Sequence, residues 1–205
     1  MCKYKGHPVT EKAIVRQLLA QGNGMFVASQ ATKAGLHRQQ LAGFVKAGIL
    51  ERADRGIYIY PGGLDDALFW MQQRAQKIVY SHETALFLHR MTDRTPIRYS
   101  ITVPSSYKAS EALKKVCKIY YIKKELIDLG KIEKSSGMGH TIVTYDLERT
   151  LCDIIRSRNK IDAQIIIEAL KNYVHHKNKD LHRLYKYAGN FGVEKILYHY
   201  LEVLL

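Results

Sequence analysis

Arg38, Gln39 and Gln40 stand side by side at the start of a segment whose apolar residues recur at helical spacing. Their chemistry suits base edges: a guanidinium bonds two acceptors of guanine, and a carboxamide bonds adenine at N6 and N7. A good bidentate pair discriminates between bases by ~1–3 kcal/mol. Projected at 100° per residue, Leu41, Phe44 and Val45 fall on one side of this segment, with Gln39, Ala42, Gly43 and Lys46 opposite. The second side has no bulky apolar group, and Ala42 and Gly43 let a partner approach the backbone closely. Arg52 and Arg55 follow in a short β-rich stretch, placed to touch phosphates beside such a helix. The expected DNA-contacting set is Lys33, His37, Arg38, Gln39, Gln40, Gly43, Lys46, Arg52 and Arg55.

Other constellations are weaker. Arg149, Asp153 and Arg156 repeat at helical spacing, an arrangement that orients a phosphate or simply forms a row of ion pairs. His175, His176 and His182 match no ligand spacing, so no metal site is expected. His82-Glu83 has the wrong spacing for a zinc deaminase and reads as the first turn of a capped helix. Gly137-Met138-Gly139 lacks the Gly-Lys-Ser/Thr ending of a phosphate-binding loop and reads as a hairpin turn. Clustered carboxylates or a Ser/His pair at workable spacing are missing, so neither enzymatic activity nor a cofactor is expected.

The elements that must position these residues follow from periodicity and punctuation. Thr10 reads as the N-cap of a helix over Glu11–Ala20, Met25–Val27 as a short strand, and Ser29–Ala34 and His37–Ala47 as two helices around Gly35. Two short strands, 49–53 and 57–60, flank Asp54-Arg55-Gly56 as a hairpin. Helix, turn, helix and hairpin in this order predict a winged helix-turn-helix. Pro61-Gly62-Gly63 places a boundary near residue 64, giving a DNA-binding domain over 1–64 and a second domain over 65–205. In the second, strands are expected at 78–80, 99–103, 118–122, 131–135 and 141–145. Helices are expected at 67–76, 81–89, 147–158, 162–175, 179–188 and 193–205. The fold class is therefore α+β, with a mixed α/β second domain whose C-terminal third is mostly helical.

A formal net charge of +13, spread over both parts of the chain, favours a polyanionic partner. Cys2, Cys117 and Cys152 are far apart and odd in number, which speaks for reduced thiols. No apolar run approaches the ~18 residues of a membrane span, and Met1–Val9 lacks the apolar centre of a signal peptide. A cytoplasmic location is expected.

Several strings, taken together and in order, resemble one family. They are Arg55-Gly56-Ile57-Tyr58, Ser81-His82-Glu83-Thr84-Ala85-Leu86-Phe87-Leu88-His89 and Thr92-Asp93-Arg94-Thr95-Pro96. Tyr145-Asp146-Leu147-Glu148-Arg149-Thr150-Leu151-Cys152-Asp153 and Tyr200-Leu201-Glu202-Val203-Leu204 complete the set. The chain resembles the AbiEi antitoxins of AbiE abortive-infection (type IV) toxin-antitoxin systems, which confer phage resistance. The resemblance implies an N-terminal winged helix that binds inverted repeats in its own promoter and represses the operon. It also implies a C-terminal domain that counteracts a nucleotidyltransferase-like toxin encoded next door. Arg38, Gln39 and Gln40 occupy the place of the family's recognition helix. Arg149, Asp153 and Arg156 are the first candidates for antitoxin function. Two alternatives stand beside this reading: a ligand-responsive regulator with a pocket in the second domain, and a nucleic-acid-processing enzyme.

Overall fold

A computed structural model describes residues 8–63 and 66–204, so Cys2 lies outside the described residues. Leu64 and Asp65, where the sequence places a boundary, also lie outside the described residues. The chain is α+β and divides into two compact units. One runs to Ala75 and includes Ser135–Ile142; the other comprises Gln76–Lys134 and Val143–Leu205.

The first unit begins with α1 (Pro8–Gln21), which starts two residues ahead of the expected Thr10 cap. Proline suits a first helical turn because its missing N–H would be unsatisfied there anyway. Strand β1 (Met25–Val27), α2 (Ala28–Lys33), α3 (Arg38–Lys46) and the hairpin β2 (Glu51–Asp54) and β3 (Ile57–Ile59) follow. The strands form one antiparallel sheet in the order β1-β3-β2, with Phe26 opposite Tyr58 and Met25 opposite Ile59. Side chains alternate across a strand, so the sheet has two faces to cover. Phe26 and Tyr58, their rings stacked 5.6 Å apart, join Val15, Leu19, Leu36, Leu41 and Phe44 in a core under the helices. Met25, Ile57 and Ile59 face the other way.

That second face explains why the unit continues past Gly63. Helix α4 (Ala67–Arg74) packs Phe69 and Trp70 on Met25, Ile57 and Ile59. The hairpin tip 135–142 is held to the same unit by polar bonds, the His140–Asp66 pair among them buried. Asp66 caps α4 by accepting from Phe69 N (3.1 Å) and is paired with His140 Nδ1 (2.7 Å). His140 Nε2 meets Gly22 O at 2.8 Å, and Phe69 stacks on the imidazole. Asn23 Nδ2 donates to Met138 O (3.0 Å), and Ser136 donates to Asp66.

The second unit is built on a five-stranded mixed sheet of order β6-β5-β4-β8-β7. The strands are β4 (Val79–Tyr80), β5 (Tyr99–Pro104), β6 (Cys117–Ile122), β7 (Lys131–Ser135) and β8 (Thr141–Tyr145). β4 pairs antiparallel with β5 and parallel with β8, and β5 pairs parallel with β6. Helices α5 (His82–Leu88) and α6 (Glu111–Val116) interrupt the strands. The sequence reading leaves 111–116 unassigned, since six residues are too few to show a helical period. The C-terminal third is helical: α7 (Leu147–Arg156), α8 (Ala163–Val174), α9 (Leu181–Phe191) and α10 (Glu194–Leu204). Asp146, Asp162 and Asp180 cap three of these by accepting from Arg149 N, Gln164 N and Arg183 N. Residues 147–155 of α7 are all buried, which makes α7 the centre of this unit's core. Cys152 lies in that core, and burial pushes its thiol up to about 12.

Candidate nucleic-acid interface

The turn between α2 and α3 is fixed from both sides. Gly35 takes a left-handed backbone (φ 90°), and the wholly buried Leu36 donates its N–H to Ala31 O (2.9 Å). A glutamine three residues into each helix reaches back to the chain before it. Gln30 Oε1 accepts from Val27 N (2.9 Å), and Gln40 Oε1 accepts from His37 N (2.6 Å). These bonds satisfy donors that a helix start leaves orphaned.

The exposed residues of α3 are Arg38, Gln39, Ala42, Gly43 and Lys46, one continuous stripe opposite Leu41 and Phe44. A Cβ added at Gly43 would meet nothing within 4 Å. Gln40 stands apart from the other expected base readers. Its Nε2 donates to Glu11 Oε1 of α1 (2.6 Å) while its Oε1 holds His37 N, so both ends of the carboxamide are engaged within the unit. Lys33 is exposed in the last turn of α2, and His37 is exposed just before α3.

In the hairpin, Asp54 Oδ1 accepts from Arg55 N (2.6 Å), and Gly56 closes the turn at φ 78°. Arg74 of α4 braces the tip by pairing with Asp54 Oδ2 (2.8 Å) and donating to Arg55 O. Arg52 bends back to Asp54 O (3.3 Å). The Arg74 clamp is invisible to the sequence reading because its partners lie about twenty residues upstream, beyond any local period.

Charge compensation is one-sided here. Among the described residues of this unit, Glu11, Glu51, Asp54 and Asp66 each bond to a group inside it. Among the described residues, Lys33, Arg38, Lys46, Arg52 and Arg55 form no ion pair. Such a surface retains its positive field and can release counterions from a polyphosphate.

The other candidates lie in the second unit's interior. Arg149 and Asp153 are wholly buried and paired, Nε to Oδ2 at 3.1 Å. Arg149 Nη1 donates to Leu126 O and Leu129 O, and its guanidinium lies between the Tyr145 ring (4.0 Å) and the Phe191 ring (4.3 Å). Arg156 is half-buried, its guanidinium 5.5 Å from the Phe191 ring. Burial raises the Asp153 carboxyl above its usual range despite Arg149 and Arg156. This arrangement ties the loop around 126–130 to α7 and leaves Arg149 and Asp153 no surface to offer a partner.

A polar cluster around His82 escapes a reading by spacing. His82 is buried with a left-handed backbone (φ 48°), and its ring stacks on Tyr120 at 3.5 Å. Its nitrogens meet Ser81 Oγ (2.9 Å) and Ser157 Oγ (3.0 Å), and Thr102 Oγ1 donates to Ser81 Oγ (2.8 Å). Burial, then the positive charges of Arg156, Arg149 and Lys118, hold its pKa well below the ordinary value.

Among the described residues no His, Cys, Asp or Glu cluster has the makeup of a metal site, and no helix is long and apolar enough to cross a membrane. The exposed α3 stripe, the braced hairpin and the cations beside them make a basic surface suited to a polyanion. Residues 14–61 match the family model described as a transcriptional regulator, AbiEi antitoxin. Of the strings that carry the sequence resemblance, Arg55-Gly56-Ile57-Tyr58 lies inside the match. The fold is shared with the crystal structure of the RV2827C protein from Mycobacterium tuberculosis. The likeness has a TM-score of 0.59 at 16% identity and covers 88% of this chain and 71% of that one. No curated protein matches the sequence.

Proposed function

We propose that the first unit is a winged helix-turn-helix, with α2 and α3 as the helix pair and β2–β3 as the wing, and that it binds double-stranded DNA. The observation that carries this reading is the α3 stripe. It begins with Arg38 and Gln39, has no ion pair among the described residues and no bulky apolar group, and is followed in the chain by an Arg-bearing hairpin tip. Arg38 and Gln39 are the base readers, Gly43 admits the DNA backbone, and Lys33, His37, Lys46, Arg52 and Arg55 contact phosphates. Gln40 orients α3 on α1 and acts on DNA through that placement.

The operator is an inverted repeat in the protein's own promoter, and the protein is a repressor that also opposes a nucleotidyltransferase-like toxin through its second unit. The family match over 14–61 supports the regulatory half of this statement. The toxin half rests on the sequence resemblance beyond that segment. Antitoxicity is assigned to the surface of the second unit, with Arg149 and Asp153 supporting it from the core and Arg156 at its edge.

The test compares operator and random DNA at one salt concentration. Arg38→Ala or Gln39→Ala is expected to reduce operator affinity towards the random-DNA level, a loss of ~1–3 kcal/mol per bidentate contact, and to spare non-specific binding. Equal weakening on both DNAs would remove that residue from base reading. For the toxin half, co-expression decides. A chain with Arg38→Ala and Gln39→Ala should still rescue cells when toxin and antitoxin are driven from foreign promoters.

A further inference from the structure

The second unit carries its own concentration of unpaired positive charge. An open cavity of 680 Å³ lies where the turn after α5 meets the end of α8 and the loop behind it. Arg90, Lys171 and Lys177 line it, together with the imidazoles of His175 and His176, and no carboxylate does. Among the described residues none of the three cations takes part in an ion pair. Cations gathered around one concavity repel each other unless something negative sits among them.

The positions are held from the backbone. Arg90 is in a left-handed conformation (φ 57°), and the turn is closed by Arg90 N to Phe87 O (3.0 Å) and Met91 N to Leu86 O (2.9 Å). Asn172 Nδ2 donates to Met91 O (2.9 Å), tying that turn to α8. The hydrogen-bond partners also set the tautomers. His175 Nδ1 faces Lys171 O (2.9 Å), an acceptor only, so it carries the proton. His176 Nδ1 accepts from Asn178 N (3.3 Å), which leaves its proton on Nε2 as a donor. Lys171 lies in the last turn of α8, where a cation is favoured, and His175 bonds a carbonyl there. That effect fades beyond the last turn. Lys177 lies three residues past the last helical residue, Val174, and the helix end does not account for it.

We infer that this cavity binds a phosphate-bearing anion. Its volume falls within the ~300–1,000 Å³ typical of ligand sites. Three separated cations with His176 Nε2 as a donor among them match a group that carries several oxygens and more than one charge. The phosphates of a free nucleotide and those of a single-stranded nucleic acid share this chemistry. The inference concerns only residues of the second unit and stands or falls independently of DNA reading by α3.

The experiment titrates the full chain with tripolyphosphate, ATP and a short single-stranded oligonucleotide by calorimetry, with sodium sulfate at equal ionic strength as the control. The same titrations are run on R90Q/K171Q/K177Q. These side chains are exposed, so the variant should fold, and circular dichroism verifies it. Saturable binding of tripolyphosphate or ATP that falls at least about tenfold in the variant supports the site with a free ligand. Binding of the oligonucleotide alone, with a salt slope reduced by about 2 in the variant, supports it with a polymer. Binding by no probe, or binding that the variant retains in full, overturns it. Operator affinity of the variant, measured alongside, keeps this outcome separate from the α3 reading.

Discussion

Gly43 is the residue at which stability and recognition are expected to part. Glycine inside a helix costs roughly 0.5–1 kcal/mol relative to alanine, and open space surrounds the place where a Cβ would stand. Gly43→Ala should therefore raise the melting temperature. If DNA approaches the backbone there, the same methyl group should weaken operator binding, so a more stable but poorer binder is the expected result. A variant gaining stability with unchanged affinity would place the DNA elsewhere on α3. Gln40 shows the complementary case. Its residue type suggested base reading as strongly as that of Gln39, yet its carboxamide bonds His37 N and Glu11. Only the position of α1 distinguishes these two neighbours, and residue type carries no information about it.

The hairpin and α4 have consequences at the scale of elements. Arg55 is exposed at a tip braced by Arg74 and has no ion pair among the described residues. Arg55→Ala should weaken binding to all DNA sequences alike and flatten the salt dependence by about one unit of slope. An unchanged slope would take the wing out of the interface. Helix α4 decides how large the smallest folding fragment is. A chain cut after Gly63 lacks Phe69 and Trp70 and leaves Met25, Ile57 and Ile59 uncovered. Burying one such side chain is worth ~1.5–3 kcal/mol, and whole domains are stable by only ~5–15 kcal/mol. Residues 1–63 should therefore melt far more easily than residues 1–75 in a urea titration followed by circular dichroism. Equal midpoints would show that α4 is dispensable. Pro61-Gly62-Gly63 looks like a terminus because it breaks the chain locally, whereas the apolar underside of the sheet requires the chain to go on.

For the whole molecule, the buried His82 links folding to pH. Its folded-state pKa lies well below the unfolded value, so in acid the unfolded chain binds a proton that the folded chain refuses. Stability is retained above the unfolded pKa of about 6.5 and is lost as the pH falls beneath it. His89, depressed chiefly by burial, acts in the same direction. Asp153, with its carboxyl raised, acts in the opposite one, so the informative quantity is a difference between variant and wild type. His82→Gln should lose less stability than the wild type between pH 7 and pH 5 when chemical denaturation is measured at both. Parallel losses would mean that His82 is not the titrating group. The tip 135–142 is a second whole-molecule device, since His140 and Ser136 bond Asp66 from about seventy residues away. His140→Ala leaves a buried carboxylate oxygen short of a partner and should cost about 1–3 kcal/mol in a urea titration. A smaller change would show that Ser136 alone suffices.

Local order is what the sequence by itself determined. The α2–turn–α3 pair, the hairpin at Asp54-Arg55-Gly56 and most later helices and strands follow from side-chain period and turn chemistry, which act over a few residues. The polar face of α3 is legible for the same reason. Tertiary structure decided which residues remain available. It engaged Gln40, buried Arg149 and Asp153, brought Arg74 to the wing and placed residues 135–142 in the first unit. It also gathered Arg90, Lys171 and Lys177 around one cavity from segments about eighty residues apart. Each of these outcomes depends on contacts between distant parts of the chain, and no local period encodes them.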